Sequence, residues 1–214
     1  MQSRVFVNPT SRLELERPDI TIATARGIDD VQRMQSSGGS VFTWGPAGRR
    51  QISDIVDSRY DQRRGQVNLE LLLSDIGRTN MAEPSVDNRH YIVTDRDMFA
   101  EGTNFVFGIT SAHQGVAIQS LMRFMSEISN HRDQATMARH IARHEYAHMI
   151  GMNSRSDYAK PDTRGGIYEG HCANTCTVSQ VMSVRESVRL VNELDFYTDA
   201  GFCGSCVKRI RSKV

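Results

Sequence analysis

The sequence predicts a mixed α/β (α+β) protein with one long helix at the junction of two unequal parts. Three observations carry this. Alternating apolar runs interleave with helical-period runs over the first two thirds of the chain. One unbroken helical stripe runs from about Asp133 to Met149. The last third reads as helix and loop, and it contains all four cysteines, Cys172, Cys176, Cys203 and Cys206. The expectation is a single domain of 214 residues, with an upper part over about 1–151 holding a mixed sheet and a small lower part over about 152–214 tied by its cysteines.

The elements follow in chain order. "ITIAT" (20–24) alternates like a strand, and "SSGGS" (36–40) is a loop signal. In "NLELLLSDIG" (68–77), Leu69, Leu72, Leu73 and Ile76 recur at helical spacing, Asn68 suits the N-cap, and Gly77 suits the stop. "HYIVT" (90–94) reads as a strand. "TNFVFGIT" (103–110) and "GVAIQSLM" (115–122) read as two more, joined by "SAHQ". On the long helix Met137, Ile141, His144 and His148 share one face, and Gly151 suits its C-terminal stop. A final helix is expected from Ser183, where Ser183 and Glu186 form a capping-box pattern. Val184, Val188, Val191 and Leu194 make its buried stripe and Gly201 ends it; "FCGSC" then reads as a knuckle and "VKRIRSKV" as a basic tail.

Composition narrows the function classes. Twenty-six Lys and Arg against 25 Asp and Glu leave a formal charge of +1, so no global field argues for nucleic acid or an anionic membrane. No stretch approaches the roughly 20 apolar residues of a membrane span, and "MQSRVFVNPT" lacks a signal-peptide core. The expectation is a soluble, cytoplasmic monomer with neither nucleic acid nor membrane as partner.

The densest chemistry lies in "RHEYAHMIGM" (143–152). Residues four apart on a helix point the same way about 6 Å apart along the axis, so His144 and His148 can reach one metal ion. Glu145, beside the first His, is placed to take a proton from zinc-bound water rather than to bind metal. That water, with its pKa lowered to about 7, can attack a peptide carbonyl, and Glu145 can pass the proton to the leaving amine. A catalytic zinc wants a third protein ligand. The short form of such sites puts a His three residues after the Gly, where this chain has Ser154. His171, Glu169 and Asp157 are the three candidates. His140 is one turn before His144, but three ligands over two turns of a straight helix span about 12 Å and cannot share one ion. A second-layer or surface role suits it better.

Cys172, Cys176, Cys203 and Cys206 fit a closed four-thiolate zinc site of structural kind, the more so in a reducing compartment. A redox pair at 203–206 would sit at a helix start in a thioredoxin-like setting, which is not expected here.

These motifs resemble the archaemetzincins, a family of zinc metallopeptidases. "HEYAHMIG" (144–151), "HC" (171–172), Cys176, Met182 and "CGSC" (203–206) occur in the family's order. "NFVFGIT" with "GVAIQSLMRF" (104–124) and "RRGQVNLELLL" (63–73) look like two upstream family segments, so the likeness runs from about residue 59 to 206. The resemblance implies a metzincin-like catalytic domain with an active-site helix and a zinc-tied C-terminal subdomain. It implies two Zn2+ per chain: a catalytic one on His144, His148 and His171, and a structural one on the four cysteines. It implies Met182 as the Met-turn beneath the catalytic zinc. It makes Phe105, Val106, Phe107, Gly108, Ile109 and Thr110 the edge strand that pairs with a peptide or protein substrate. His113, just after it, reads as a solvated His. The chain departs from the family in three ways. Nineteen residues separate Gly151 from His171 where the family has two. Three residues, not four, separate Cys172 from Cys176. Met182 stands six after Cys176 rather than two. The expected function is peptide-bond hydrolysis with Glu145 as base, with the inserted loop overhanging the cleft. The alternative is a zinc-stabilised binding or regulatory protein on a peptidase fold without hydrolytic activity.

Overall fold

The computed structural model of the protein describes residues 3–35, 39–43, 49–78, 88–152, 171–172, 174–196 and 198–213. Asp157, Glu169 and the inserted loop lie outside them.

The order of elements is β1 (Ser3–Pro9), α1 (Ser11–Glu16), α2 (Pro18–Gln32), β2 (Gly39–Thr43), α3 (Arg49–Ser58), β3 (Tyr60–Asp61), β4 (Gln66–Asn68), α4 (Leu69–Ile76), β5 (Asn88–Thr94), β6 (Met98–Phe99), β7 (Gly108–Ser111), β8 (Val116–Ser120), α5 (Met122–Glu127), α6 (His131–Met149), α7 (Val184–Glu193) and α8 (Gly204–Arg211). Five strands form the main sheet in the order β2-β1-β5-β8-β7, and β3, β4 and β6 form a small second sheet. Strands β1, β2, β5 and β8 run parallel. Only β7 is antiparallel, paired with β8 from Gly108↔Gln119 to Ser111↔Val116, and it forms one edge.

Side chains on a strand alternate between faces, and the central strands are buried on both. Tyr91, Val93 and Ala117 join a core with α2 and α6 on one face. Ile92, Val116 and Ile118 join a second core on the other, with Ile52 and Val56 of α3 and Leu69, Leu72 and Ile76 of α4. The first core continues into the C-terminal part through Met149, Met152, Cys172, Cys176, Val178, Val184 and Val207. The long helix α6 therefore lies between the sheet and the cysteine-bearing segment.

Helix α6 is held from three sides. Asn130 caps its start through the Arg132 N–H at 2.9 Å. Gly151, at φ +87°, turns the chain after its end. Against α2 it packs so closely that a Cβ on Gly27 would lie 2.9 Å from Ala142 Cβ and overlap the Arg139 carbonyl oxygen, so only glycine fits there. Beside that contact Asp30 takes both Arg139 and the fully buried Arg143. The Arg209 guanidinium of α8 donates to the Gly151 carbonyl at 3.3 Å.

Several expectations change. "ITIAT" is helical: it is the first half of α2, whose buried positions Ile20, Ala23, Thr24, Gly27, Ile28 and Val31 follow a period of three to four, with Pro18 at the start. Gly39 and Ser40 begin β2. The strand expected over 103–110 is confined to Gly108–Ser111. Helix α7 ends at Glu193, not near Gly201, and what read as knuckle and tail is the helix α8. Helices α4 and α7 do carry the expected caps, Asn68 on the Leu71 N–H and Ser183 on the Glu186 N–H. Glu186 closes its box on the N–H of Met182 at 2.7 Å, one residue earlier than the usual pattern.

Candidate metal centre and its carboxylate

One turn of α6 sets His144 and His148 on the same side, and the segment after residue 170 brings His171 against both. The ring centroids are 4.7 Å (His144–His148), 5.1 Å (His144–His171) and 4.9 Å (His148–His171) apart. One nitrogen from each lies within 4.8 Å of the others. Met152 and Cys172, on either side of the inserted loop, belong to one core cluster.

The protonation pattern follows from the hydrogen bonds. His144 Nδ1 lies 2.9 Å from the Thr177 carbonyl oxygen, which can only accept, so the ring carries its proton on Nδ1. Its Nε2 then presents a lone pair towards His148 Nε2, 3.0 Å away. Burial drives His144 well below the ordinary imidazole range, with His148 and His171 adding to it. Burial, then His171, lowers His148 to about 3. Three imidazoles with convergent nitrogens, those of His144 and His148 held neutral by burial, are the donor set a cation needs. Two nitrogens about 2.05 Å from a tetrahedral zinc stand about 3.3 Å apart, close to the 3.0 Å between His144 Nε2 and His148 Nε2. The donor set fits zinc.

Glu145 meets β7. It is only 6% exposed. Thr110 Oγ1 donates to its Oε2 at 2.7 Å and lies 3.0 Å from its backbone carbonyl. A Cβ on Gly108 would stand 2.7 Å from Glu145 Cδ and Cγ. Burial raises the Glu145 carboxyl to about 7, against the opposing hydrogen bond from Thr110. A carboxyl of that strength is suited to exchanging protons near neutral pH.

The four cysteines form a second cluster, with one sulfur from each within 4.8 Å of the others and no disulfide among them. Cys172 Sγ and Cys203 Sγ are 3.7 Å apart; two sulfurs about 2.3 Å from a tetrahedral zinc stand about 3.8 Å apart. Hydrogen bonds from Cys176 and Cys206 bring the Cys172 thiol down to about 2, and the same contacts push Cys176 up to about 12 and Cys206 up as well. Contrary to the sequence reading, Cys203 does stand at a helix start, as the N-cap of α8. Asn174 Nδ2 and the Cys203 N–H also point at sulfurs, at 3.6 and 3.3 Å.

The remaining expected residues fall out differently. Met182 is 43% exposed, whereas a floor beneath a metal is buried. Two residues after Cys176, where the family's Met stands, is Val178. It is 1% exposed and its carbonyl accepts from the Cys172 N–H at 3.0 Å. The spacing itself pointed to this residue. His140 is buried rather than at the surface, lies outside the three-His cluster, and is lowered to about 3 by burial and then Arg143. His113 is exposed beside Ser111 Oγ at 3.1 Å. Phe105 to Thr110 are all half-buried, with Phe105–Phe107 leading into β7 as loop. Sequence reading missed Thr177, whose neighbour Cys176 was its only signal. Its N–H and Oγ1 donate to Gly201 and Ala200 carbonyls at 3.0 Å each, which fixes the carbonyl that orients His144.

No protein-family model matches the sequence, and no curated protein does either. Solved structures do match. Archaemetzincin from Methanopyrus kandleri superposes with a TM-score of 0.65 at 19% identity, covering 98% of this chain and 93% of that one. Archaemetzincin from Archaeoglobus fulgidus, complexed with malonate, gives 0.63 at 22% identity over 96% of this chain and 99% of that one. A zinc-dependent peptidase from Methanocorpusculum labreanum gives 0.61 at 16% identity, covering 97% and 100%. Nearly end to end, this chain has the fold of the archaemetzincins.

Proposed function

We propose that the chain is a zinc-dependent peptidase of the archaemetzincin type. The observation that carries this is the meeting of three imidazoles at one point, with a buried carboxyl on the helix residue next to the first of them. The zinc-peptidase fold neighbours add weight to it.

His144, His148 and His171 hold the catalytic zinc, and Cys172, Cys176, Cys203 and Cys206 hold a structural one, two per chain. Zinc at the first site supplies Lewis acidity towards a peptide carbonyl and lowers the pKa of water to about 7. The rest is the work of this chain's own residues. The Thr177 carbonyl keeps the His144 Nε2 lone pair aimed into the site. The outer edge of β7, terminal in the described sheet, takes an extended peptide by main-chain hydrogen bonds. Glu145 accepts the proton of the attacking water on its carboxylate and delivers it to the departing amine nitrogen. Four free thiols about one point suit a reducing, cytoplasmic compartment.

Glu145→Gln tests the reading. It keeps size and zinc but removes the base, so hydrolysis of a mixed peptide library should fall at least a hundredfold with zinc content unchanged. Hydrolysis equal to the parent would remove Glu145 from the mechanism. A parent loaded with two zincs and inert on the library would favour the binding protein without hydrolytic activity.

A further inference from the structure

On β7 the side chains alternate. Ile109 packs on the α3–α4 core, so Gly108 and Thr110 face the opposite way, towards α6. There they meet Glu145. The glycine leaves room for it, since any Cβ at 108 would collide with its carboxyl. The threonine supplies a hydroxyl to Oε2 at 2.7 Å, the shorter of its two contacts with Glu145. A free glutamate side chain has three rotatable bonds and loses rotamer freedom when fixed. A charge-assisted hydrogen bond of this length is strong enough to fix it.

We propose that Thr110 is the positioning residue for Glu145, its hydroxyl and the bare backbone of Gly108 forming a seat on the edge strand that sets the angle of the carboxylate. The inference rests on the peptidase reading above and deepens it. β7 is hydrogen-bonded to β8 on one side and forms the sheet edge on the other. A peptide added to that edge and the base seated on the same strand thus share one rigid reference. Movement of the strand carries substrate and base together. The Thr110 side chain acts through Glu145, while the main chain of the same strand is what a peptide would pair with.

The experiment compares Thr110→Val, which keeps the shape and removes the donor, with Thr110→Ser, which keeps the donor. Zinc per chain should equal the parent in both. Thr110→Val should lower kcat ten- to a hundredfold with KM within about threefold, because a misaimed base slows the chemical step and not binding. Thr110→Ser should stay within about threefold of the parent kcat. Crystal structures of the two give a readout independent of activity: the Glu145 carboxyl leaves the Gly108–Thr110 face in the valine variant and stays in the serine variant. Parent-like kcat in Thr110→Val, equal losses in both variants, or an unmoved Glu145 in Thr110→Val would overturn the proposal. Should the valine variant not fold, Thr110→Ala carries the same expectations. A zinc-loaded parent that cleaves nothing refutes the peptidase reading, and the carboxyl position in the crystals then decides the seat alone.

Discussion

Arg143 immediately precedes the first His of the cluster and is 1% exposed. A guanidinium cannot give up its charge, so it must be answered inside the protein. Asp30 of α2 answers it, bonding both Arg143 and Arg139, and Arg143 stacks over Phe196 at 4.3 Å. Burial would raise the Asp30 carboxyl, but hydrogen bonds and charge from Arg139 and Arg143 outweigh it and hold the group below its ordinary value. A carboxyl whose folded value is depressed stabilises the fold above its unfolded value near 4 and loses that contribution as pH falls through the folded one. Asp30→Asn leaves the buried cation uncompensated, and urea unfolding at pH 7 should show a loss of about 3–5 kcal/mol. The gap between variant and parent should narrow below about pH 4. Equal stability at pH 7 would mean that Arg143 finds another partner.

The segment 171–178 joins the two clusters. Its Cys172 and Cys176 belong to the thiol group, while His171 and the Thr177 carbonyl serve the imidazoles. Loss of the sulfur site should therefore disturb the imidazole site, although no thiol enters it. Cys203→Ser should drop one zinc per chain and weaken zinc at the His site about 10- to 100-fold, the range for disturbing groups that orient a metal ligand. Chelator competition reads this, and an unchanged affinity would show two independent sites. Elements with local signals were readable from sequence. Helices α4, α6 and α7 carry caps and stripes within their own residues, and β5 and β8 carry clean apolar runs. Helix α2 was misread because Ile20, Ile22 and Thr24 alternate, while the longer period and Pro18 extend beyond a five-residue window. Helix α8 was hidden behind the Cys-x-x-Cys pattern that begins it. Thr110 could be placed on the edge strand, but its bond to Glu145 spans 35 residues and has no local trace. The exposure of Met182, and Val178 in the buried place, follow from how the chain folds back on Cys172.

At the scale of the molecule, the mixed sheet sets β7 at an edge, the core on one face holds α6, and that core continues into the cysteine-bearing segment. Among the described residues no helix is long and apolar enough to cross a membrane. The central claim is that two metal sites exist and that His171, from beyond the inserted loop, completes the first. A zinc-edge anomalous difference map from crystals of the protein purified with zinc tests it most directly. The expected map has two peaks, one bonded by nitrogens of His144, His148 and His171, the other by the sulfurs of Cys172, Cys176, Cys203 and Cys206. A map with no peak at the three histidines, or one whose third ligand is Glu169 or Asp157, would contradict it.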